Sequence, residues 1–62
     1  MELNGTQLEI ENAIVEHLGL GSTMDILAIF EQEYRLEVVL ETGIRKIVNK
    51  TPIIEYIKQN AR

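Results

Sequence analysis

Residues 17–29 read His-Leu-Gly-Leu-Gly-Ser-Thr-Met-Asp-Ile-Leu-Ala-Ile, and they hold the side chains closest to chemistry in this chain. Two glycines suit the end of one helix and a sharp change of direction. Ser22 and Thr23 follow at once, and either can cap a following helix by accepting a hydrogen bond from an unpaired backbone N–H. A serine so placed faces the positive end of a helix and is within reach of another protein's active site, which makes it a place to attach a phosphate-linked group. His17 is the only histidine. A Ser22–His17 nucleophile pair would need a third group to orient the imidazole and donors for an oxyanion, and the sequence offers neither, so catalysis is not expected. Glu16 and His17 point about 100° apart on a helix and form no ligand pair. The acidic residues lack the alternating loop spacing that calcium requires, so no metal is expected.

The elements that must position Ser22 follow from apolar spacing and capping signals. Thr6-Gln-Leu-Glu9 fits a capping box, and Ile10, Ile14 and Leu18 give the first helix an i,i+4 stripe that Gly19 ends. A second helix is predicted over residues 23–34, with Asp25 in its first turn and Met24, Ile26, Leu27, Ile29 and Phe30 covering most of its circumference. These apolar residues are read chiefly as core, with a cleft for an acyl chain as the sharper alternative. In residues 35–41, Leu36, Val38 and Leu40 alternate with other residues as in a strand. A single strand has no ladder, so an extended connection is expected. Residues 42–49 are read as a short, irregular third helix because Ile44, Ile47 and Val48 fall at i, i+3, i+4, although Gly43 weakens it. Thr51-Pro52 starts a last helix, residues 52–59, that turns Ile53, Ile54 and Ile57 inward. The expected fold is all-α, a small three- to four-helix bundle over residues 1–62 as a single domain.

Composition narrows the partners. Six basic and ten acidic side chains give a net charge of −4, which disfavours phosphodiester backbones. A helix-turn-helix use of Arg45, Lys46, Lys50 and Lys58 is opposed by that charge, and the acidity favours basic surfaces on partner enzymes. No cysteine is present, so neither a disulfide nor a thiolate site staples the core. The longest apolar run, residues 26–30, is far short of the roughly 20 residues that cross a bilayer, and no signal-peptide pattern opens the chain. A cytoplasmic protein without membrane attachment is the expectation.

Leu18-Gly-Leu-Gly-Ser-Thr23, Phe30-Glu-Gln-Glu-Tyr34, Leu36-Glu-Val38 and Thr51-Pro-Ile-Ile-Glu-Tyr-Ile57 together resemble an acyl carrier or peptidyl carrier domain, over residues 8–58. The resemblance implies a helical bundle with a short third helix, 4'-phosphopantetheine on Ser22, an acyl or aminoacyl cargo, and a role in fatty acid, polyketide or peptide biosynthesis. It also implies that partner enzymes dock on Met24, Asp25, Glu31, Glu33 and Glu37. The chain departs from the family in having Gly21 where an aspartate usually precedes the serine, and in lacking the long first loop. Aligned by the distance to Tyr34, the acceptor position falls on Leu20 instead. A second reading belongs to another class: a non-catalytic helical interaction module, an inhibitor or regulatory subunit and a possible homodimer, with no prosthetic group.

Overall fold

The computed structural model describes residues 2–60 and is an α+β fold, with elements in the order α1 (Gln7–Leu18), a 3-10 turn (Thr23–Asp25), β1 (Ile26–Glu31), β2 (Arg35–Leu40), β3 (Arg45–Asn49) and α2 (Lys50–Asn60). The three strands form one antiparallel sheet in the order β1-β2-β3. This corrects the expectation of an all-α, three- to four-helix bundle. Two of the four expected helices are strands, and the segment read as an unpaired extended connection is the central strand of the sheet.

The two helices follow the local signals. At α1 the Thr6 hydroxyl accepts from the Glu9 N–H at 3.1 Å while the Glu9 carboxylate accepts from the Thr6 N–H at 2.8 Å, closing the capping box. Gly19 ends the helix in the left-handed region, φ 70°, where a side chain would be strained. α2 follows β3 directly, with Asn49 the last residue of the strand and Lys50 the first of the helix.

The strands override helical spacing. Residues 23–34, expected as the second helix, hold the apolar run Ile-Leu-Ala-Ile-Phe, which carries no period and fits either state. It becomes β1 because β2 offers a ladder: Ile29 lies opposite Val38, and Glu31 opposite Leu36. The expected third helix, residues 42–49, is instead a hairpin loop and β3. Gly43 at φ 89° takes the left-handed position, its N–H bonds the Leu40 carbonyl at 2.8 Å, and the Leu40 N–H bonds the Ile44 carbonyl at 2.8 Å. That is a three-residue hairpin loop, Glu41-Thr42-Gly43, in which glycine is required rather than tolerated.

Both helices cover one side of the sheet. Ala13 and Ile14 of α1, Leu36 and Val38 of β2, Val48 of β3, and Ile53 and Ile57 of α2 form the buried core. The alternation in β2 that looked like a strand is real: Leu36 and Val38 point to the helices, while Glu37 and Val39 point away.

Candidate functional site

Ser22 lies in the turn between α1 and β1, exposed, and its hydroxyl accepts from the Met24 N–H at 3.1 Å. The Asp25 carboxylate reaches back to accept from the N–H groups of Gly21 and Ser22, both at 3.2 Å. The motif thus closes on itself around a three-residue 3-10 turn that runs straight into a strand. A carrier serine stands at the head of a full helix in a bundle, and neither surrounds Ser22. The resemblance to acyl and peptidyl carrier domains is overturned by this architecture. The phosphopantetheine and the biosynthetic role that the resemblance implied lose their basis with it.

The five side chains assigned to partner docking do not share a surface. Met24 is 80% exposed beside the turn. Asp25 is engaged as the cap just described. Glu33 is exposed in the β1–β2 connection. Glu31 ends β1 and accepts from the Lys50 ammonium at 2.6 Å. Lys50 is only 2% exposed, at the first residue of α2, where the helix dipole disfavours a positive charge. Glu31 therefore offsets a charge that burial and dipole both penalise, and it ties the first strand to the last helix. Glu37 stands on the far side of the sheet from the helices, its carboxylate 3.1 Å from the Arg45 guanidinium. Of the five, Glu37 alone lies on that open side.

That side was not singled out from the sequence. By register, Phe30 and Ile47 flank Glu37, while Ala28 and Arg45 flank Val39. Phe30 is 56% and Ile47 57% exposed, and no helix covers them. The signal that could have found them is the strand alternation itself: once β2 is a strand, its outward residues and their cross-strand neighbours define a second face.

β1 is also an edge of the sheet, and its ladder has a fixed phase. The Gln32 N–H bonds the Arg35 carbonyl at 2.8 Å, so alternate residues Ala28, Phe30 and Gln32 direct their backbone groups to β2. The N–H and C=O of Ile29 and Glu31 consequently point away from β2, to the open edge of the sheet. A bulge between Ile26 and Ala28 perturbs the start of the strand. β3, the other edge, carries Arg45 and Lys46, the kind of charge that blocks strand addition, whereas residues 26–30 contain no charge and no proline.

A shallow cleft of about 400 Å³ lies between the helices, lined by Glu9, Asn12, Glu16, Tyr56 and Asn60 among others. Its Glu9 already serves the α1 cap. Among the described residues, no group of three His, Cys, Asp or Glu side chains is placed to hold a metal ion. No helix among them is long and apolar enough to cross a membrane. Comparison with protein-family models, with curated proteins and with solved structures finds no match.

Proposed function

We propose that this chain is a non-catalytic protein-interaction module, of the inhibitor or regulatory-subunit kind, that accepts an extended polypeptide segment along β1. Its edge supplies the backbone hydrogen bonds, and the outer side of the sheet supplies apolar contact through Phe30. The observation that carries this reading is the pairing of an uncharged apolar edge with an uncovered aromatic on the same strand. Exposed apolar surface of that kind marks interaction sites in folded proteins. Asp25 and Glu33 stand just beyond the two ends of the strand, and the chain carries a net charge of −4. A segment with basic residues flanking alternating apolar ones fits best, and its binding weakens as salt rises.

Selection of random displayed peptides against the immobilised chain tests this. The expected winners alternate apolar residues between Lys or Arg flanks, lose binding at least tenfold to Phe30→Lys, and bind Ser22→Ala as they bind the parent. A selection that returns only binders indifferent to Phe30→Lys overturns the reading.

A further inference from the structure

We infer that, where no basic segment occupies it, β1 pairs with β1 of a second copy of this chain, joined antiparallel about a two-fold axis into a six-stranded sheet. The inference rests on the strand-addition reading above and names its occupant. A two-fold axis normal to the sheet keeps each face on its own side, so only residues that share an orientation can lie opposite one another. The outward backbone groups of Ile29 then bond their counterparts, Ile29 opposite Ile29, with Phe30 opposite the second copy's Ala28 and Glu31 opposite its Leu27.

Three features of the strand select this register. It uses the outward N–H and C=O of Ile29 as a reciprocal pair, the arrangement the ladder phase leaves open. It sets the exposed Phe30 ring over an alanine, the smallest side chain in β1, on the side of the sheet that no helix covers. It keeps Glu31 opposite an apolar residue and leaves the approach of Asp25 to the second copy's Glu33 outside the ladder, since neither of these two belongs to β1. Sliding the strands so that Ala28 faces Ala28 would place Asp25 against Glu31, and sliding them the other way, so that Phe30 faces Phe30, leaves only three paired residues in each strand. The other edge is closed to the same event, because Arg45 and Lys46 would meet their own kind.

Pairing of five residues on each side covers less than the roughly 800 Å² per partner of a standard interface, so weak, concentration-dependent association is expected. Asp25 of each copy approaches Glu33 of the other just beyond the strand ends. Salt therefore strengthens self-association, the reverse of its effect on a basic peptide.

Sedimentation of the full chain from low micromolar to millimolar concentration should show a monomer–dimer equilibrium that tightens with salt. Phe30→Lys, at an exposed position, should weaken it at least tenfold while leaving the circular dichroism spectrum unchanged. The register is read by cross-linking. Ala28→Cys mixed with Phe30→Cys should give the mixed disulfide on oxidation, since these positions form a close non-hydrogen-bonded pair with Cα atoms about 4.5 Å apart. Neither variant should cross-link efficiently alone. A chain that stays monomeric at every concentration overturns the inference, as does a disulfide between two copies of Ala28→Cys. If the chain is monomeric yet selected peptides still require Phe30, the interaction module stands and only its self-pairing fails.

Discussion

The two edges of the sheet are built to opposite rules. β3 holds Val48 fully in the core, continues without a break into α2, and sets Arg45 and Lys46 along its outer half. β1 has a half-buried Ile29, an exposed Leu27 and Phe30, and no charge before Glu31. One edge is anchored and guarded, and the other is lightly packed and open. Under the function proposed above, the contrast would put most of the core packing on one edge of the sheet and recognition on the other.

Substitutions can break that division or sharpen it. The largest effect is expected at the anchored edge: Val48→Ala removes two buried methyl groups from the core and should lower unfolding free energy by about 2.5 kcal/mol in denaturant titration. Next is the tie between the two ends of the sheet. Glu31→Gln removes the carboxylate that lies 2.6 Å from the buried Lys50 ammonium, and a loss of about 2 kcal/mol is expected, read by the same titration. Glu31 is itself more than half exposed, which keeps the figure below that of a fully buried pair. Ser22→Ala removes the cap of the turn that leads into β1 and should cost about 1 kcal/mol, with no change in peptide binding or self-association. The smallest change in stability, within about 0.5 kcal/mol, is expected for Lys46→Val, which strips a guard from β3. Its effect should appear in light scattering as species larger than a dimer, because both edges of the sheet then pair. If that variant behaves as the parent does, charge is not what distinguishes the two edges.

The helices were legible because their signals are local. Thr6 with Glu9 and Gly19 after Leu18 each act within one turn of chain, and the structure keeps α1 where these residues put it; the last helix is present as expected, but it starts at Lys50, so Thr51 and Pro52 lie inside its first turn rather than capping and opening it. The sheet was not legible for the opposite reason. The alternation of Leu36, Val38 and Leu40 was visible, but a strand is stable only with a partner, and both partners were disguised. In β1 five consecutive apolar residues erase the two-residue period. In β3 Ile47 and Val48, with Ile44 before them, also satisfy helical spacing. Gly43 was the signal that could have decided it: a glycine between two strand-length runs, weak in a helix, is the residue a three-residue hairpin loop needs. Ser22 was rightly placed as a capping hydroxyl, but the resemblance supplied a long helix for it to cap, and tertiary pairing supplied a strand.

The seamless junction at Asn49 and Lys50 shapes how the molecule would come apart under a protease. Irregular backbone is exposed at residues 19–22, 32–34 and 41–44, each a site where limited digestion can begin. Between the last strand and the last helix there is no such site. A nick at 41–44 therefore leaves the last strand and helix as one uninterrupted fragment, still packed in the core, whereas the chain before it can be cut at more than one place.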